Sequence, residues 1–215
     1  MRKAAFHNLG CKVNSYETEA MQQLLEDAGY EIVPFREGAD VYIINTCSVT
    51  NVADRKSRQM LHRAKKMNPS AAVVAVGCYV QAAGAELKKD EAVDLIVGNN
   101  QKKDLVQILD DYFADHENSG EILDIGHSQE YEELHIRRIA DHTRAFIKVQ
   151  DGCTNFCTYC IIPYTRGPIR SAPLETSFAA IVLYHIREDA SAAAARRTSS
   201  ARCAGLRKPD TRKLS

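Results

Sequence analysis

The chain has 215 residues, 45% of them hydrophobic, with 28 Lys and Arg balanced by 28 Asp and Glu. That length and apolar content allow one or two domains with a real core and exclude a wholly disordered chain. A formal net charge of zero removes bulk charge as an argument for nucleic acid, so any such contact needs a local basic patch.

From the start, Ala4 to Leu9 reads as a strand, and Gly10 turns the chain into Cys11. Asn14 with Glu17 has the spacing of a capping box, and Met21, Leu24, Leu25 and Ala28 recur at helical period before Gly29 ends the helix. The pattern repeats. Val41 to Asn45 is a β-branched run ending at Thr46-Cys47, and Asn51 caps a helix with an expected buried stripe of Val52, Met60, Ala64 and Met67, stopped by Pro69. A third copy has the strand Ala72 to Val76, then Gly77-Cys78 and a short helix over Gln81 to Lys89. A fourth strand, Asp94 to Val97, leads to a helix with Leu105, Val106, Leu109 and Phe113 on one side, without a cysteine at the joint.

Strands alternating with helices predict a parallel sheet, with Cys11, Cys47 and Cys78 all just past strand carboxyl ends. Ligands of open α/β sheets bind at that edge, so the three cysteines are expected to converge; the plainer reading is three buried loop cysteines acting as small hydrophobes. Between Arg55 and Lys66 the second helix carries Arg55, Lys56, Arg58, Arg63, Lys65 and Lys66, with Asp54 just before them. That is either a phosphate-contacting face or a solvated helix surface, and the solvated surface is the plainer reading.

Residues 116–141 are polar and acid-rich and read as a linker, with a short strand at Glu121 to Ile125. His127, His135 and His142 lack metal-ligand spacing and are expected on the surface. Arg144 to Gln150 reads as a strand turned by Asp151-Gly152 into a loop bearing Cys153, Cys157 and Cys160, in the pattern C-x3-C-x-aromatic-C with Tyr159 as the aromatic. Three thiolates so close in sequence can hold one soft metal centre. A 4Fe-4S cluster fits, with one iron left open for a cofactor; a zinc knuckle, or a thioredoxin-like pair of Cys157 and Cys160, remains an alternative. The chain has seven cysteines, and Cys203 stands outside both trios. Residues 1–9 hold no signal-peptide core and no apolar run approaches the roughly 20 residues of a membrane-spanning helix, which predicts a cytoplasmic protein without membrane contact and with thiols rather than disulfides.

The loop over residues 153–160 resembles the signature of the radical S-adenosylmethionine superfamily, and its flanks VQDGC and CIIPYTRGPIRS resemble those of the methylthiotransferases. LGCKVN, INTCSVTN and VGCY are similar to the three cysteine motifs of that family's amino-terminal domain. The resemblance implies an α/β chain: residues 1–115 an open parallel-sheet domain of Rossmann or flavodoxin-like type, and residues 142–171 the start of an incomplete radical S-adenosylmethionine β/α barrel. It implies two 4Fe-4S clusters, one on Cys153, Cys157 and Cys160 that binds S-adenosyl-L-methionine beside Tyr159, the other on Cys11, Cys47 and Cys78, where sulfur is inserted. For Tyr159, packing on the barrel rim is the structural alternative. Gly10 and Gly77 would let backbone N–H groups approach the second cluster.

The implied reaction adds a methylthio group to C2 of a hypermodified adenosine beside the tRNA anticodon, with the anticodon stem-loop, an electron-donor protein and a sulfur source as partners. GCKVN and NTCSVTN look more like the branch acting on N6-threonylcarbamoyladenosine than the isopentenyladenosine branch, and less like the branch that modifies a ribosomal protein. After Ser171 the likeness stops. Residues 172–215 read as a divergent, mostly disordered tail of a truncated or frame-shifted product, which predicts an inactive chain; a basic RNA-binding tail is the alternative. A rival of another class is a zinc-stabilised RNA-binding protein without catalysis.

Overall fold

In the computed structural model, residues 1–115, 122–128, 130–136 and 146–174 are described. Five parallel strands form one sheet: β1 (Lys3–Asn8), β2 (Glu31–Val33), β3 (Val41–Thr46), β4 (Ala72–Gly77) and β5 (Leu95–Val97), in the order β2-β1-β3-β4-β5. Every residue of β3 and β4 is buried, as their unbroken apolar sequence requires of strands covered on both faces. Helices α1 (Lys12–Asp27) and α4 (Leu105–Asp115) cover one face, where Met21, Leu25, Leu105 and Leu109 meet Ile43 and Val74. Helices α2 (Asn51–Met67) and α3 (Cys78–Leu87) cover the other, where Leu61, Ala64 and Val80 meet Tyr42, Ile44 and Ala75. The protein is therefore an α/β fold with a doubly wound sheet.

The expected strands and helices of this region are present, and the sheet adds β2, whose three residues fall below the length at which alternation is readable. The expected stripe of α2 needs correction. Ala64 is buried and Met60 and Met67 pack half-buried against the core as expected, with Ser57 and Leu61 completing the face, but Val52 is 51% exposed. The cap is Thr50 rather than Asn51, and its side chain accepts from the Ala53 N–H at 3.1 Å. Likewise α3 begins at Cys78 itself rather than at Gln81.

Beyond α4, residues 122–124 are irregular and Ile125–His127 is a 3-10 turn, in place of the strand expected there; Glu121 lies outside the described residues. The strand expected up to Gln150 is confined to β6 (Gln150–Asp151), paired antiparallel with β7 (Arg170–Ser171), with residues 144–145 outside the described set. Between them lie the cysteine loop and the short α5 (Ile162–Arg166). His127 and His135 are exposed as expected, and His142, Cys203 and the tail from residue 175 lie outside the described residues.

The buried face of α2 is testable by urea unfolding. Leu61→Ala, at a fully buried site, should lower stability by about 2–5 kcal/mol. Val52→Ala should change it by less than about 0.5 kcal/mol; the reverse ranking would restore the stripe read from sequence.

Candidate functional site

The strand order 2-1-3-4-5 places a topological switch point between β1 and β3, the position at which ligands of open α/β sheets bind. Cys11 follows β1 and Cys47 follows β3, so they flank that crevice; Cys78, after β4, is one strand further along the same edge. Cys47 and Cys78 are buried and Cys11 is exposed. Burial pushes the Cys47 thiol above its ordinary range, and Cys78 and Cys11 each add to the rise, so both lie within electrostatic reach of Cys47.

Local backbone geometry explains the glycine that precedes Cys11. Gly10 has φ +109°, and a Cβ there would stand 2.9 Å from Cys47 Cβ and 3.0 Å from its Sγ. Both the left-handed backbone and the close approach of two strand ends require glycine. Gly77 repeats the device before Cys78, with φ +97° and a would-be Cβ 2.5 Å from Asn45 Oδ1.

Neighbouring side chains then hold the edge in place. Ser57 of α2 receives a hydrogen bond from the Cys47 N–H at 3.3 Å and donates to the Cys47 carbonyl at 3.1 Å. Asn99, just past β5, lies 3.7 Å from Cys78 Sγ through its Nδ2, which also donates to the Thr165 carbonyl at 2.6 Å. Asn14 spans the crevice: its Nδ2 donates to the Leu9 carbonyl at 2.7 Å and the Thr46 carbonyl at 3.0 Å.

The capping box expected from Asn14 and Glu17 does not form. Cys11 occupies the N-cap of α1 without a side-chain cap, and both Asn14 and Glu17 are buried. Glu17 is instead the centre of an ion cluster. Lys148 Nζ lies 2.8 Å and Arg166 Nη1 2.9 Å from its Oε1, and Lys102 Nζ 3.2 Å from its Oε2. Asp151 joins through Lys148 at 2.7 Å and Arg166 at 2.9 Å, and Arg166 Nη2 donates to Asn14 Oδ1 at 2.8 Å.

Burial alone would raise the Glu17 carboxyl, but Lys102, Arg166 and Lys148 hold it well below the usual range. Burial opposes the charged Arg166 too, and Glu17, Cys78 and Asp151 outweigh it. One guanidinium thus answers both the acid cluster and the sulfur edge.

The second trio lies on the loop between β6 and α5. Gly152 (φ +81°) starts it, and a Cβ there would meet the Pro168 carbonyl oxygen, so the loop closes tightly on residues 167–168. The Cys153 N–H donates to the Gly167 carbonyl at 3.0 Å and the Cys160 N–H to the Cys157 carbonyl at 2.9 Å. Cys157 is exposed, with Cys153 and Cys160 half-buried. Tyr159 is 90% exposed, so it does not pack on a rim formed by the described residues; Phe156 and Tyr164 meet edge-on at 5.8 Å between centroids.

Among the described residues, no three His, Cys, Asp or Glu side chains stand together at metal-holding separations. The donor chemistry nonetheless fits iron-sulfur centres. Each trio is all thiol and free of disulfides, and Cys78 of the first also has an amide N–H donor of the kind that stabilises sulfur ligands.

Residues 3–98 match a family described as Uncharacterized protein family UPF0004. Over 171 residues the chain is 46% identical to the threonylcarbamoyladenosine tRNA methylthiotransferase MtaB of Bacillus subtilis, covering 80% of this chain and 38% of that protein. The MtaB of Aquifex aeolicus is 44% identical over 173 residues, with 80% and 42% covered. The tRNA-2-methylthio-N(6)-dimethylallyladenosine synthase of Maricaulis maris is 35% identical over 181 residues, with 80% and 39% covered. The chain thus spans about two fifths of the length of these relatives. A solved structure of the radical S-adenosylmethionine methyltransferase TsrM from Kitasatospora setae shares the fold, with a TM-score of 0.56 at 13% identity over 87% of this chain and 46% of that one.

Glu17→Gln should destabilise the protein by about 3–5 kcal/mol, because it leaves buried cations without their counter-charge. The pH sign follows from the depressed carboxyl. Its stabilisation is complete above about pH 4.5, the ordinary glutamate value, and disappears as pH falls toward the folded value. Urea midpoints measured across acid pH should therefore fall less steeply in the variant; identical slopes would remove Glu17 from the cluster.

Proposed function

Because the chain carries a UPF0004 domain and is homologous to MtaB-type methylthiotransferases, we propose that it is the cluster-bearing portion of a tRNA methylthiotransferase acting at C2 of N6-threonylcarbamoyladenosine. The single observation that carries this reading is the shared edge. Three cysteines follow three strand ends on one sheet edge, two of them flanking a switch point, and the segment after the second cysteine loop is tied to the same edge through Arg166, Asn14 and Asn99. Two relatives above 40% identity are both MtaB proteins, which supports the threonylcarbamoyl substrate, while at 35% MtaB proteins and dimethylallyladenosine synthases stand level.

Cys11, Cys47 and Cys78 would hold one 4Fe-4S cluster and Cys153, Cys157 and Cys160 the other, with Tyr159 beside S-adenosylmethionine. These cofactors would supply the radical and sulfur-insertion chemistry. The protein's own contribution is placement. Cys47 and Cys78 are shielded from water, while exposed Cys11 leaves the crevice open toward an incoming base or sulfur source. Arg166 fixes a buried positive charge near Cys78, where a thiolate centre carries negative charge. Asn99 links the Cys78 thiol to the backbone of α5, the helix that follows the second cysteine loop. Transfer RNA, an electron donor and a sulfur source are the partners this chemistry requires.

Metal and sulfide analysis of anaerobically prepared full chain tests the reading. Iron with acid-labile sulfide is expected. Changing Cys11, Cys47 and Cys78 together to Ala should leave about half of it, as should changing the other trio, since each trio is assigned one four-iron cluster. Stoichiometric zinc without sulfide would contradict the proposal and favour an RNA-binding protein without catalysis.

A further inference from the structure

Helix α2 carries six cationic side chains, Arg55, Lys56, Arg58, Arg63, Lys65 and Lys66, against one acid, Asp54. The structure sorts them. Lys65 is paired with Asp94 at 2.8 Å, and His62 with Asp90 at 2.9 Å. Arg55, Arg58, Gln59, His62, Arg63 and Lys66 line one open groove of about 530 Å³. Among the described residues, Arg55, Arg63 and Lys66 are exposed and have no acidic partner.

Arg58 differs from its neighbours. Its Nη1 donates to Tyr79 Oη at 2.6 Å and its guanidinium lies 5.6 Å from the ring centroid, with Asp54 and Glu86 within electrostatic reach. Tyr79 is buried and directly follows Cys78. At the other end of the geometry, Ser57 is hydrogen-bonded to the Cys47 backbone. The groove is thereby oriented by two residues of the cysteine edge. From there it runs along α2 for about 16 Å between Arg55 and Lys66, at 1.5 Å per residue.

A scattered solvated helix surface would intersperse both signs. Here Arg55, Arg58, Arg63 and Lys66 share one open groove along α2, and that groove begins beside the edge where chemistry is assigned. We propose that this face of α2 is a docking surface for the phosphates of an RNA stem, holding it so that the attached loop reaches the cysteine edge. RNA is chosen over other polyanions because of the tRNA reading above, on which this proposal rests. Charge complementarity with a phosphodiester backbone supplies the affinity, and no base is read by these residues.

The test is binding of a short RNA stem-loop to the full chain, followed by fluorescence anisotropy across a salt series. Neutralising three or four phosphates gives a slope of log Kobs on log salt of about −3. Combining Arg55→Gln, Arg63→Gln and Lys66→Gln should weaken binding at low salt by roughly tenfold or more and flatten the slope by about 2 to 3, roughly one per lost contact. A control combining Lys88→Gln, Lys89→Gln and Lys103→Gln, exposed lysines elsewhere, should bind as the parent does. Unchanged thermal unfolding of both variants confirms their fold.

Parent-like affinity and slope in the α2 variant, or an equal loss in the control, would overturn the docking face. Iron and sulfide measured on the same samples keep the two readings apart. Groove-dependent RNA binding in a zinc protein would uphold the docking face while refuting the methylthiotransferase, and cluster-bearing protein with groove-independent binding would do the reverse.

Discussion

A carboxylate taken wholly out of water must be met by positive charge, and Glu17 is met by cations from three separate places in the chain. Lys148 and Arg166 come from 131 and 149 residues away. Such a cluster adds little net stability over a well-packed apolar core, because desolvation offsets most of the attraction. What it contributes is position. Any arrangement that displaced residues 148–166 from α1 would strand buried charge on both sides, so the cysteine loop has one low-energy place relative to the sheet.

That constraint reaches the sulfur atoms through few intermediates. Asn14 receives Arg166 on its oxygen and clamps the ends of β1 and β3 with its nitrogen. Asn99 links Cys78 to the backbone of α5. The two glycines that allow strand ends to crowd together, Gly10 and Gly77, complete the edge. Sheet topology brings the first trio to one side of the molecule, and the ion cluster brings the second trio's loop toward it.

Much of this was readable in the residues. Continuous apolar runs such as 72–76 imply strands covered on both faces, and a cysteine after each of three such runs implied one edge of a parallel sheet. The strand order, with β1 at the switch point, is not encoded in any local pattern, and β2 is too short to register. The ion cluster was misread because Asn14 and Glu17 stand three residues apart, the spacing of a capping box. Nothing local distinguishes that pair from one that faces inward. Their partners Lys148 and Arg166 are too distant in sequence for spacing rules to reach, and their burial is visible only in the fold. In α2, Val52 fits the apolar period but lies off the face that Leu61 and Ala64 bury, at the first turn of the helix.

The most direct measurement is a double-mutant cycle between Glu17 and Arg166, using Glu17→Gln, Arg166→Met and their combination in urea unfolding of the full chain. If their ion pair joins the cysteine loop to α1, the two substitutions will be strongly non-additive, with a coupling of about 2 kcal/mol or more. Additive effects, with coupling near zero, would mean that the loop is held by something else and that the common edge for the two cysteine trios has no such foundation.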